Sequence, residues 1–175
     1  MRAGGRTSRV GQLETDKPKP SLKATAVRML ARREYGRAEL AAKLIAKGAP
    51  RDAADGVLDE LERLGYLSDA RFANAVVAQK SGQYGKRAIV HALKERRVEP
   101  SAAQDALRAL EGVDELAGAT ALWQRRFGVP PHDEREKARQ VRFLLARGYA
   151  LSVALKVLRA AGAAAADDTS DADPG

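Results

Sequence analysis

The 175-residue chain contains no cysteine, which excludes a disulfide framework, a thiolate nucleophile and any cysteine-ligated metal site. Histidine is nearly as scarce: the two present, His91 and His132, stand 41 residues apart, and no His-Glu-x-x-His pair is available for zinc. The turn Gly82-Gln83-Tyr84-Gly85 lacks the spacing of a phosphate-binding loop and has no strand-like segment before it. Aromatic residues make up only 5% of the chain, too few to build a base-stacking platform for single strands. Phe72, Trp123 and Phe127 are therefore expected as core anchors. No apolar run approaches the roughly 20 residues that cross a bilayer, and the first 20 residues lack the apolar stretch of a secretory signal. These absences leave a soluble, cytoplasmic, non-catalytic protein with no cofactor and no metal, read as a monomer.

The chain does have a basic excess. It carries 31 Lys+Arg against 23 Asp+Glu, a net +8. Residues 1–20, a mixture of Gly, Ser, Thr, Pro and charge, contribute +3 and read as a flexible arm. Residues 163–175 contribute −4 and read as a disordered acidic tail. The span between them therefore holds +9, a surface suited to nucleic acid or to an acidic protein face.

That span is helix-patterned throughout and repeats internally. Residues 40–61, 89–110 and 140–161 superpose without gaps, at intervals of 49 and then 51 residues. Leu44, Leu93 and Leu144 share a column; so do Ala54, Ala103 and Ala154, and Leu58, Leu107 and Leu158. Asp52, Ser101 and Ser152 share another, each a residue type able to cap a helix start, with Gln104 completing a capping box for Ser101. Gly48 and Gly148 mark the end of the preceding helix, where a left-handed residue is wanted, and Arg97 interrupts their column.

Each unit has an earlier helix as well. Ser21 precedes an apolar stripe of Leu22, Ala26, Met29 and Leu30; Ser68 precedes Asp69–Lys80 with Phe72, Ala73 and Val76; Leu116, Trp123 and Phe127 mark the third. The expected fold is all-α: three tandem three-helix repeats, at 21–65, 66–112 and 113–162, forming an elongated, curved array. A unit of about 50 residues buries little core alone and is expected to lean on its neighbours.

Charge is segregated by helix. Residues 86–97 hold Lys86, Arg87, Lys94, Arg96 and Arg97 against Glu95, net +4. Residues 135–147 hold Arg135, Lys137, Arg139, Arg142 and Arg147 against Glu136, also +4, whereas 50–64 is acidic, net −3. At 100° per residue, Ile89, Val90 and Leu93 are expected inward and Arg87, His91 and Lys94 outward. Likewise Val141, Leu144 and Leu145 are expected inward, with Arg135, Arg139 and Arg142 forming a second outward row at the same spacing. Arg125 and Arg126 join this set. Such rows can neutralise phosphates or pair with carboxylates, although each basic residue taken singly is equally an ordinary solvated side chain.

The segment Tyr66-Leu67-x-Asp69, leading to Phe72-Ala73 and then to Gly85-Lys86, Ile89 and Leu93, resembles the signature of the RecX family. The stretches 35–48 and 138–149 resemble that family's flanking repeats, so the likeness spans about 22–161, with Arg97 standing where the family usually has Gly. The resemblance implies a protein that binds the RecA–DNA filament along its groove. It would modulate, usually inhibit, strand exchange, ATP hydrolysis and co-protease activity in DNA repair and the SOS response, with contact to single- or double-stranded DNA. Two other readings stay open from the residues alone: a sequence-nonspecific DNA-binding protein of helix-turn-helix-like units, and a helical scaffold for another protein.

Overall fold

A computed structural model describes residues 20–170, with side chains as far as residue 166. The expected arm at 1–20 falls, but for Pro20, outside the described residues. Among those described the chain forms nine helices and no strand. They are α1 (Leu22–Leu30), α2 (Arg37–Ala46), α3 (Arg51–Arg63), α4 (Asp69–Lys80), α5 (Lys86–Glu95), α6 (Pro100–Arg108), α7 (Glu115–Arg126), α8 (Glu134–Ala146) and α9 (Leu151–Ser170). No helix among the described residues is long and apolar enough to cross a membrane.

The helices pack in threes, and each triplet encloses its own small core. The first gathers Ala26, Leu40, Leu44, Ala54, Leu58, Leu61 and Leu67. The second is built on Phe72, Ala73, Val76, Val77, Ile89 and Leu93, and the third on Ala119, Leu122, Trp123, Leu144, Tyr149 and Val157. The column Leu44, Leu93, Leu144 is buried in all three. The column Ala54, Ala103, Ala154 is fully buried only in the outer two: in α6, Ala102 and Ala106 take the inner face, and Ala103 and Leu107 pack on its flank. Short alanines at the inner face let α6 lie close against α4, the pair that dominates the second core.

The helix ends follow backbone chemistry. Gly48, Arg97 and Gly148 all adopt left-handed φ, at 93°, 52° and 84°. Behind them Ala49, Val98 and Tyr149 each donate an N–H to the carbonyl of Leu44, Leu93 and Leu144, at 3.1–3.2 Å, the closure of a Schellman turn. Arg97 thus keeps the turn despite having a Cβ. Ser21 and Ser68 cap α1 and α4 as expected, through bonds from the Ala24 and Arg71 N–H groups. The column of Asp52, Ser101 and Ser152 does not cap: α3, α6 and α9 begin one residue earlier, placing these residues inside the first turn. Glu99 caps α6 instead; its carboxylate accepts from the Ser101 and Ala102 N–H groups and from the Ser101 hydroxyl. Those bonds, the hydroxyl's first, hold the Glu99 carboxyl below its ordinary range.

The acidic tail expected from residue 163 is helical as far as Ser170. Four successive alanines, Ala163–Ala166, are the strongest helix formers available and prolong α9 past its core. Residues 171–175 lie outside the described residues.

Neighbouring triplets meet at two joints of one design. Gly36 and Gly85 occupy the N-cap positions of α2 and α5 and offer no side chain to the helix start. The next repeat supplies the acceptor. Arg37 N–H donates to Asp69 Oδ1 at 2.7 Å, and Lys86 N–H donates to Glu115 Oε1 at 2.8 Å. Asp69 and Glu115 are the first residues of α4 and α7. Glycine is required because the chains touch: a Cβ at 36 would meet the Phe72 ring at 2.8 Å, and one at 85 would meet the Gly148 carbonyl oxygen at 2.5 Å.

Two stability changes follow. Phe72 is 3% exposed, so Phe72→Ala is expected to cost about 3–5 kcal/mol, read as a lower denaturant midpoint. Arg97→Gly removes the left-handed penalty and is expected to raise stability by about 1 kcal/mol in the same titration; a decrease would mean the Arg97 side chain contributes more than its backbone costs.

Candidate interface on the middle helices

The middle helix of every repeat buries one i,i+4 pair: Leu40 and Leu44, Ile89 and Leu93, Gln140 and Leu144. That geometry decides what faces out. Val90 lies about 80° around from the centre of its buried pair and is 41% exposed, and Leu145 is 38% exposed. Neither is the core residue expected of it. Leu116 is likewise 36% exposed, because the first turn of α7 extends past the third core to where Glu115 meets Lys86.

The inner position expected for Leu145 goes to Gln140, only 1% exposed. Its Oε1 accepts from Trp123 Nε1 at 2.7 Å and its Nε2 donates to the Val129 carbonyl at 3.3 Å. A buried indole N–H needs an acceptor, and Gln140 supplies one. The sequence carried the signal: Gln140 stands in the column of Leu40 and Ile89.

Opposite these faces, Arg87, His91 and Lys94 on α5 and Arg135, Arg139 and Arg142 on α8 are exposed, as expected. The structure also brings the α5 row against the last turn of α8. Arg87 and His91 line one side of a groove of about 550 Å³, with Leu145 and Ala146 of α8 on the other and Ala88 and Gly148 between. Next on α8, Arg139 and Arg142 share a cleft of about 460 Å³ with Arg126, Phe127, Val129, Phe143 and the carboxylate Glu136. Phe127 and Phe143 meet edge to face at 5.3 Å, and the guanidiniums of Arg126 and Arg139 sit 5.7 and 5.6 Å from the Phe127 ring centre. Phe127 is thus half-buried beneath arginines, less a core anchor than Phe72 or Trp123.

Other expected residues are placed apart. Arg96 lines a groove with Arg33, Glu34 and Glu39 of the first repeat. Lys94 and Arg97 are exposed at the far end of α5, Arg125 in the last turn of α7, and Lys86 at the joint with its backbone N–H engaged by Glu115.

Electrostatics separates the repeats. Among the described residues, no carboxylate pairs with the side chains of Lys86, Arg87, Lys94, Arg96, Arg97, Arg125, Arg126, Arg135 or Arg142. Lys137 holds Glu134 at 3.0 Å, and Arg139 reaches Glu136 only at 3.6 Å. Arg37, the first-repeat counterpart of Lys86, is instead clasped by Asp59 at 2.6 Å and Glu62 at 2.7 Å. Burial opposes its charge, but the Asp59 hydrogen bond and the field of Glu62 outweigh that and raise its pKa. Asp59 has Arg108 and Arg159 as its column mates, so the later repeats lack this neutralising acid. Uncompensated guanidiniums beside open clefts suit phosphate or carboxylate recognition. Among the described residues no group of three acidic or histidine side chains is arranged to hold a metal ion.

Comparison with known proteins matches this architecture repeat by repeat. Residues 23–61, 68–107 and 114–158 match the models of the first, second and third three-helix domains of RecX. The chain is 42% identical over 149 residues to the regulatory protein RecX of Leptothrix cholodnii, covering 85% of this chain and 94% of that one. It is 40% identical over 143 residues to the regulatory protein RecX of Ralstonia nicotianae, covering 82% and 89%. The crystal structure of RecX from Lactobacillus salivarius superposes with a TM-score of 0.66 at 18% identity, over 81% of this chain and 94% of that one.

Replacing Gln140 by Leu restores the apolar column but strands the Trp123 N–H. Gln140→Leu is expected to destabilise the third repeat by about 1–3 kcal/mol, with a shifted indole N–H resonance. A neutral or stabilising result would show that the indole finds another partner.

Proposed function

This chain belongs to the RecX family, and on that premise we propose that it binds the RecA–DNA filament and restrains its turnover in DNA repair and the SOS response. One observation carries the reading: among the described residues the cations of α5 and α8 have few acidic partners, and the two helices meet along a groove between successive repeats. A periodic partner with negative or hydrogen-bond-accepting groups satisfies such rows better than a small molecule does. Linked, individually weak contacts on successive repeats gain avidity through effective concentration, by roughly 10²–10⁴. A chain lodged across several filament subunits would oppose the movements that accompany ATP hydrolysis and block access of partner DNA and of client proteins.

The same rows would neutralise duplex phosphates without reading bases, which keeps sequence-nonspecific DNA binding as the competing reading. Affinity for naked duplex and for RecA-coated single strand, compared at one salt concentration, separates them. Preference for the duplex favours the competitor.

Reversing Arg135, Arg139 and Arg142 to Glu together is expected to weaken filament binding by about tenfold or more, equivalent to about 1.4 kcal/mol. Inhibition of RecA's DNA-dependent ATPase should fall in parallel and the circular dichroism spectrum should stay helical. Undiminished inhibition would remove this row from the interface.

A further inference from the structure

We infer that Asp69 and Glu115 are positioning residues that fix the spacing between successive repeats, and that this spacing is what a periodic partner recognises. The second clause rests on the filament-binding reading above; the first stands on the joints alone.

Neither carboxylate is occupied in starting its own helix. Ser68 caps α4 by accepting the Arg71 N–H, and Asp114 caps α7 by accepting the N–H groups of Leu116 and Ala117 at 2.9 and 3.2 Å. Asp69 and Glu115, one residue later, are left to reach across the joint to the uncapped starts of α2 and α5. The pairing recurs at both joints: a glycine followed by a basic residue opens the middle helix, and an acidic residue opens the first helix of the next repeat. A carboxylate at a helix start also meets the positive end of the helix dipole.

Asp69 does more than Glu115. Its second oxygen accepts the N–H of Glu99 at 3.0 Å, the residue that caps α6. One carboxylate thus ties α2 of the first repeat to α4 and α6 of the second. The second joint adds Gly85 N–H to the Arg147 carbonyl at 2.9 Å, and this bond joins the start of α5 to the end of α8.

The third repeat departs from the design. The helix α8 carries its own cap in Asp133, which accepts the Glu136 N–H at 2.6 Å, so it needs no following repeat. The joint chemistry occurs twice and then stops.

The cysteine-free chain takes paired labels directly. Exposed Ala42 and Gln104, changed to cysteine, report the first joint; exposed Gln104 and Ser152 report the second. Distance distributions from paired spin labels are expected to broaden across the first joint in Asp69→Ala and across the second in Glu115→Ala. Glu115→Gln keeps an acceptor oxygen and is expected to restore the narrow distribution. Should Asp69→Ala lose its helical circular dichroism, the Glu115 pair decides the question. In the variants with broadened distances, affinity for RecA-coated single strand is expected to fall at least tenfold. Unchanged distances in Glu115→Ala would overturn the positioning role, and broadened distances with unchanged affinity would overturn the recognition of spacing. If the unmodified chain fails to bind the coated strand, the filament reading and the recognition clause fall, while the distance measurement still decides the joints.

Discussion

The architecture turns on helix starts that cannot satisfy themselves. Every α-helix opens with N–H groups that have no partner within the helix. Most helices solve this with a Ser, Asp or Asn side chain at the cap, a contribution of about 1 kcal/mol. At Gly36 and Gly85 that solution is closed, because any Cβ would run into the neighbouring repeat. The close approach that forbids a local cap also brings Asp69 and Glu115 within reach of the free N–H groups. Packing and capping are therefore one constraint, and it links repeats whose cores are otherwise separate.

Separate cores suit an array more than a globule. With few aromatics, each triplet buries a cluster of leucines, alanines and valines around at most one or two large rings. A repeat of this size gains stability from its neighbours as well as from itself. The joints are polar, made of backbone N–H groups, carboxylates and the Arg71–Glu34 ion pair at 2.8 Å. Polar joints between small apolar cores fix orientation through directional bonds, whereas an apolar seam would tolerate sliding.

Much of this was legible in the sequence, and the failures share a cause. Periodicity placed Asp69–Lys80 to the residue and the left-handed column correctly, because helical period and backbone sterics are local. It misassigned Val90, Leu116 and Leu145, which are apolar but face away from a core whose width only the packed neighbours define. The cap column failed because the helices begin two residues early, at Arg51, Pro100 and Leu151; Pro100 suits that first position, where a missing N–H costs nothing. Gln140 is polar, and only its column, that of Leu40 and Ile89, points to its burial. The outward cations were legible because a charged side chain on a surface helix has nowhere else to go. The groove between α5 and α8 was not, since it depends on how the two helices meet across the second joint.

The charge pattern shows how a repeat can be specialised without altering its fold. Arg37 and Lys86 occupy the same position at the start of their middle helices, yet Arg37 is bound to Asp59 and Glu62 while Lys86 has no carboxylate partner among the described residues. The difference lies on the third helix, where the Asp59 column becomes Arg108 and then Arg159. Such a change on an exposed face leaves the core untouched but removes an internal counter-charge. The first repeat spends Arg37 on cohesion between its helices; the third-repeat counterpart, Lys137, holds only the neighbouring Glu134 of its own helix. A chain that wanted only solubility would gain from interleaving the two signs. Here the net charge is divided by helix instead: α3 is net acidic while α5 and α8 are net basic, and the last two meet at a directional joint.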